Sequence, residues 1–224
     1  MEYWRARTRN KSFCHYFVDD GSIDETYELL LSLASFSPTK IKVLKLRKNV
    51  GKAEALRHGL MQALEDNPGV KLIGYCDGDS TVLSDDILNL IKIMEENKFD
   101  LVLASRVMLL GRSITRTTRR HIIGRIVVTV LGVGHNNFPY DPQNGLKLLR
   151  NSAGLKESLT EPFKTRWFVD IEIMLRMRQL GMTMFWEEPL LHWEESGESH
   201  LSLRSIPRII HELFIVRRLL RKWI

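Results

Sequence analysis

The sequence has only two cysteines, Cys14 and Cys76, far apart and without a CxxC spacing. That scarcity excludes a disulfide framework and a thiolate zinc site. Its seven histidines form no HxH or HxxxH pair, so a histidine metal centre has no support either. Long apolar runs are also missing: the longest, such as residues 126–132, are far too short to cross a bilayer. The chain shows no charged start followed by an apolar stretch and a small-residue cleavage site, and a cytoplasmic location is expected. Without a repeat, a low-complexity tract or a Pro/Gly-rich linker, residues 1–224 read as one domain. At 44% hydrophobic content that length can bury one sizeable core.

Charge of one sign is in excess. The formal net charge is +6, and the surplus is concentrated in residues 112–125 and 204–222. Such clustering calls for an anionic partner: nucleic acid, an acidic membrane surface or a phosphorylated substrate. Nucleic acid ranks last, because no helix-turn-helix, zinc or aromatic-platform signature accompanies the charge.

Residues 13–18 read as a strand ending in the turn Asp19-Asp20-Gly21-Ser22, and Ser22 with Glu25 is expected to form a capping box before a helix. Residues 41–46 alternate as a strand, and residues 51–64 place Leu56, Leu60 and Leu64 at helical spacing. A second unit repeats the order: strand 70–75, the turn Asp77-Gly78-Asp79, helix 84–97 with Ile87, Ile91 and Met94 inward, and strand 100–104. Further on come a Gly/Asn loop at 132–137, a strand at 145–149, a helix at 169–180, an extended 182–190 and a last helix from 206. Alternating strands and helices predict an α/β fold with a mostly parallel sheet, helices on both faces and ligands beyond the carboxyl ends of the strands.

Both acidic turns lie at such strand ends. Asp77 and Asp79 flank a glycine and offer oxygens to a hard divalent cation bridging two phosphates, although Asp-Gly alone is a common turn. Asp19 and Asp20 offer acceptors to a nucleobase or ribose, or begin the next helix. Lys52 opens a helix behind Gly51, where backbone N–H groups and an ammonium receive phosphate. Two acidic turns on separate strands of one sheet are expected on the same rim, which favours a site over two ordinary turns.

The motifs FVDDGSIDET (17–26), KNVGKAEALRHGL (48–60), DGD (77–79), ASR (104–106), DPQNGLK (141–147) and WFVDIEIMLR (167–176) follow in this order. Together they resemble family 2 glycosyltransferases, especially the branch that transfers sugars to polyprenyl or dolichyl phosphate. The resemblance implies a glycosyltransferase A fold, a nucleotide-sugar donor and Mg²⁺ or Mn²⁺. It places Asp19, Asp20 and Lys52 at the nucleotide, Asp77 at the nucleotide and metal, and Asp79 on the metal. It also places Arg106 at the acceptor phosphate and Asp170 as the base toward the acceptor. A phosphate acceptor is already ionised, so Asp170 could orient rather than deprotonate. Without the resemblance, Asp170 reads equally as a helix N-terminal charge and Glu172 as a solvated residue.

Arg119 and Arg120 are added to the acceptor phosphate site, since the arginine fork suits phosphate. Residues 119–131 mix arginines with Ile122, Ile123, Ile126, Val127, Val130 and Leu131, the pattern of a helix at a lipid surface. The basic amphipathic helix 206–224 either docks on anionic lipid or packs on the domain. Peripheral contact with the inner face of the membrane is expected. Family members begin with a strand about twenty residues before the Asp-Asp-Gly-Ser turn, so the first strand of the fold is expected to be absent. Two other functions stay open: transfer to a saccharide hydroxyl in cell-surface polysaccharide or cell-wall synthesis, and a truncated, non-catalytic binding module.

Overall fold

The computed structural model describes residues 13–79, 81–195 and 206–221. The chain divides into two compact units, Met1–Pro68 and Gly69–Ile224.

The first unit is β1 (His15–Asp19), α1 (Thr26–Ser35), β2 (Ile41–Lys45) and α2 (Lys52–Asp66), with β1 and β2 parallel from His15 opposite Ile41 to Asp19 opposite Lys45. Helix α2 buries Ala53, Ala55, Leu60 and Leu64. It packs on β1 through Gly59, where an added Cβ would lie 2.6 Å from Val18. The expected capping box does not form: α1 starts at Thr26 behind Glu25, which makes no side-chain cap bond. Instead the Thr26 amide donates to Asp24, and the Ser22 amide donates to Asp19. The turn keeps Ser22, and the helix begins too late to use it.

The second unit is built on a four-stranded sheet of order β3 (Leu72–Tyr75), β6 (Lys147–Arg150), β4 (Leu101–Ser105), β7 (Phe185–Pro189). β4 and β7 are parallel, whereas β6 runs antiparallel to both β3 and β4. The reversal is a departure from an all-parallel alternation with a simple cause. The chain leaves β4 at its carboxyl end, makes a long excursion, and re-enters the sheet from that same end. The excursion carries β5 (Ser113–Thr115) and α4 (Thr118–Gly132), and β5 pairs in parallel with β8 (His192–Glu194). Among the described residues, β1 pairs only with β2 and β3 only with β6.

Strand β4 is wholly buried, as a central strand reading Leu-Val-Leu-Ala-Ser should be. Helix α3 (Ser84–Glu96) lays Leu90 and Met94 into the core beside Val102, Ala104 and Leu148, with Ile87 and Ile91 half-buried around them. Helix α6 (Val169–Gln179) is buried along most of its length, Asp170 and Glu172 included, with α5 (Ala153–Ser158) and α7 (Ile206–Leu220) packed against it. α7 therefore docks on the unit, burying Val216 and Leu220, while Phe214 and Ile210 remain exposed. No helix among the described residues is long and apolar enough to cross a membrane.

Glu212 of α7 is only 4% exposed, and its carboxylate accepts the amides of Arg166 and Trp167 at 3.0 and 2.9 Å. Glu212→Ala leaves two amides unsatisfied, which costs about 2 kcal/mol and lowers the thermal midpoint by roughly 4–8 °C. Circular dichroism melting checks this, and a shift under 1 °C would show that the helix is not anchored through this carboxylate.

Candidate functional site

In the first unit the two turn aspartates behave differently. Asp20 chelates the chain, accepting Val50 N at 2.7 Å on one oxygen and Gly51 N at 2.8 Å on the other. It ties the end of β1 to the start of α2. Asp19 is 2% exposed and accepts Ser22 N through Oδ1, while its buried Oδ2 has no partner among the described residues. A buried carboxylate oxygen left unpaired is costly, so of the two Asp19 is the better candidate for a ligand's hydroxyl or amide donor. The turn requires glycine at position 21: φ is +71°, and a Cβ would fall 2.6 Å from the Lys48 carbonyl carbon. Lys52 is exposed at the first turn of α2.

The second unit gathers a denser cluster at the end of β3 and the entrance to β6. Lys147, the first residue of β6, is fully buried, and its ammonium bonds Asp170 Oδ1 at 2.7 Å and the Asn144 carbonyl at 2.6 Å. The Tyr75 hydroxyl donates to the same Asp170 oxygen at 2.6 Å. Burial first, and the Asp170 charge second, push the Tyr75 hydroxyl well above its usual pKa, so it stays a donor. Asp170 is 2% exposed and sits in the first turn of α6.

Asp77, just past β3, presses against Gly145 so closely that a Cβ there would meet its Oδ2 at 2.1 Å. Glycine at 145 is thus a condition for the position of Asp77. Asp79 is exposed, and its Oδ1 accepts both the amide and the hydroxyl of Thr81, bonds that leave Oδ2 uninvolved. No group of three or more His, Cys, Asp or Glu side chains that could enclose an ion occurs among the described residues. Two neighbouring carboxylates nevertheless suit a hard cation that takes its other ligands from phosphates and water.

Arg106, following β4, forms a bidentate pair with Asp141: Nε to Oδ2 and Nη2 to Oδ1, both 2.7 Å, with its backbone amide adding a third bond at 3.0 Å. Asp141 is itself held by Glu187 of β7, which accepts the amides of Tyr140 and Asp141. Burial opposes ionisation of Asp141, but the Arg106 guanidinium overrides it and holds the carboxyl below its usual range. Burial likewise works against the Arg106 charge, and Asp141 more than restores it, with Asp77 and Asp170 adding to the same field. The structure therefore brings Asp77, Arg106 and Asp170 into one electrostatic neighbourhood.

The acid at 172 differs from the solvated reading. Glu172 is buried, and its carboxylate takes the amides of Lys164 and Thr165, the Thr165 hydroxyl and the Arg176 guanidinium. The side chains of Arg119 and Arg120 lie outside the described residues, as does segment 196–205. Sequence reading assigned no role to Lys147, Tyr75 or Asp141. Two of them stand inside the quoted motif 141–147, but what they pair with is set by contacts far apart in the chain.

The sequence profile described as Glycosyl transferase family 2 matches residues 10–154, more than half the chain and across both units. This chain belongs to glycosyltransferase family 2. A dolichyl-phosphate beta-glucosyltransferase of Dictyostelium discoideum is 28% identical over 196 residues, 82% of this chain and 56% of the relative. An uncharacterised protein of Methanocaldococcus jannaschii is 36% identical over 89 residues, 40% of this chain and 38% of that protein. The family 2 chain thus spans from under two-fifths to just over half the length of these relatives. Among solved structures, glucosyl-3-phosphoglycerate synthase of Mycobacterium tuberculosis with Mn²⁺, UDP-glucose and glycerol 3-phosphate superposes with a TM-score of 0.60 at 17% identity, covering 90% of this chain and 68% of that one. Its phosphoglyceric acid complex gives 0.62 at 17% identity, with 90% and 67% covered. At that identity the likeness shows the fold, the glycosyltransferase A fold.

Because the folded pKa of Asp141 is lowered, its pair with Arg106 contributes stability above the unfolded aspartate value near 3.8, lost as pH falls through the folded value. Asp141→Asn costs about 3–5 kcal/mol at pH 7 by stranding Arg106. Urea unfolding should show that difference shrinking between pH 5 and pH 3, and a difference that does not change with pH contradicts the pairing.

Proposed function

We propose that this chain carries the donor site of an inverting glycosyltransferase that moves a hexose from a UDP- or GDP-sugar to a polyprenyl or dolichyl phosphate. The observation that carries the reading is the setting of Asp77 beside Gly145 in the same electrostatic cluster as Arg106. One group suits a cation on the donor's diphosphate and the other an anionic acceptor. The Dictyostelium relative's name adds the dolichyl-phosphate acceptor.

In this reading Asp79 and Asp77 hold Mg²⁺ or Mn²⁺, which when bound neutralises the departing nucleoside diphosphate. The Mycobacterium enzyme was likewise crystallised with Mn²⁺ and UDP-glucose. Asp19 receives a donor from the nucleotide, and Asp20 keeps the adjoining loop in place, with Lys52 toward the phosphates. An acceptor phosphate oxygen attacks the anomeric carbon from the face opposite the diphosphate: the new C–O bond forms, the bond to the β-phosphate oxygen breaks, and the configuration inverts. Such an acceptor arrives ionised. Asp170, tied to Lys147 and Tyr75, orients this neighbourhood rather than removing a proton.

A lipid acceptor also fits the surface of the second unit. α4 exposes Ile122, Ile123, Ile126 and Val130, and α7 exposes Ile210 and Phe214. The two helices touch, with Arg217 donating to the Val130 carbonyl. Arginines 125, 217, 218 and 221 edge two shallow concavities of about 360 and 520 Å³, neither lined by a residue of the electrostatic cluster. Apolar residues rimmed by arginine suit the cytoplasmic face of an anionic bilayer.

Calorimetric titration of UDP and GDP with and without Mn²⁺ tests the donor reading: metal-dependent binding to one nucleotide is expected, lost in Asp79→Ala. Absence of any nucleotide binding would contradict it. For the surface, co-sedimentation with phosphatidylglycerol vesicles should fall roughly tenfold in Ile126→Asp/Phe214→Asp and be weak on phosphatidylcholine. Equal binding by the double variant would remove the membrane contact from the reading.

A further inference from the structure

Arg116 stands between β5 and α4, and its setting differs from that of Arg112, which faces Glu188, and of Arg125, which packs on Tyr140. Its guanidinium carbon lies 5.9 Å from the centroid of the Trp193 ring, and that of Arg106 lies 5.2 Å from the same centroid. Two guanidinium groups therefore share one aromatic neighbour. The carboxylate that serves them is Asp141, and both its oxygens are occupied by Arg106. Arg116 forms no ion pair among the described residues, and its Nε–H is shut off from solvent without a hydrogen-bond acceptor there. Burial first, and the Arg106 charge second, lower its pKa, with Asp141, Glu195 and Tyr140 only partly offsetting them. The acid that approaches from β8, Glu195, accepts the Thr117 amide.

A sheltered guanidinium N–H with no acceptor is costly, and so is a second positive charge beside an already neutralised pair. One ligand relieves both: a tetrahedral oxyanion that accepts from Nε and balances the remaining charge. We propose that Arg116, with Arg106 beside the Trp193 ring, is an oxyanion-binding residue that takes a phosphomonoester, the phosphate of the acceptor. The inference rests on the acceptor reading above and adds a residue to it, in a side chain that the family motifs did not single out. Arg106 supplies the remaining N–H groups of a guanidinium fixed by Asp141, and Arg116 supplies a charge that Asp141 and Glu195 offset only in part. The Trp193 ring lies within cation–π reach of both guanidinium groups.

The test uses the Arg116 Nε–H cross-peak in a nitrogen–proton correlation spectrum, assigned by its absence in Arg116→Gln. The probes are inorganic phosphate, the water-soluble citronellyl phosphate, and UDP with Mn²⁺. The expected result is a saturable downfield shift with inorganic phosphate and with citronellyl phosphate. Affinity for citronellyl phosphate should fall roughly ten- to hundredfold in Arg116→Gln. Arg116→Lys should recover part of it, and UDP–Mn²⁺ affinity should be unchanged in both variants. A cross-peak that stays still with both phosphates overturns the proposal. So does undiminished citronellyl phosphate binding by Arg116→Gln, or a shift produced by UDP alone, which would give the residue to the donor. Absence of Mn²⁺-dependent binding of both UDP and GDP by the unmodified chain would instead count against the donor reading, whatever Arg116 does.

Discussion

The second unit depends on one buried ion pair, Lys147 with Asp170. Lys147 begins the strand that wedges antiparallel between β3 and β4, and Asp170 begins the helix that fills the core behind it. An ammonium with no exposure cannot be left unmatched, so this pair fixes where β6 enters the sheet and how α6 is set against it. Tyr75 joins the pair from β3, and Asn144 supplies the second acceptor from the loop ahead of Gly145. Asp77 rests on that glycine. The position of a candidate donor carboxylate therefore follows from a structural ion pair two residues further along the chain.

The other acids of the unit show how sparingly carboxylates are left free. Glu172, Glu187 and Glu212 each hold backbone amides of a neighbouring loop, and Asp141 holds Arg106. Each replaces an irregular segment's missing backbone partners, which is why these loops can be ordered next to a site. Against that background an unpaired polar atom carries information. Asp19 Oδ2 in the first unit and Arg116 Nε in the second are two such atoms, one an acceptor and one a donor. In the proposed transfer the first would receive a donor group of the nucleotide and the second an oxygen of the acceptor phosphate.

The basic surplus likewise separates into parts. Arg106 is bound up in the cluster, Arg125 packs on Tyr140, and Arg217 reaches α4 through the Val130 carbonyl. Only part of the run visible in the sequence is solvated charge. The exposed isoleucines of α4 and Phe214 of α7 give the rest of that surface a mixed apolar and cationic character.

Residue order alone determined the alternation of strands and helices, the acidic turns at strand ends, and the family to which the chain belongs. Local signals suffice for those, because hydrophobic period, glycine at a turn and a contiguous motif are written within a few residues. Which aspartate of Asp19-Asp20 keeps an unpaired oxygen, that Glu172 is buried, and that β6 runs against β3 and β4 were decided by the tertiary structure alone. So was the capping of α1, where Ser22 is held by Asp19 rather than by the helix. In each case the deciding contact joins a carboxylate to an amide or cation whose availability is fixed by the fold around it. A carboxylate looks the same in sequence whether its oxygens face a ligand or the protein's own backbone, and only the folded chain supplies or withholds the partner.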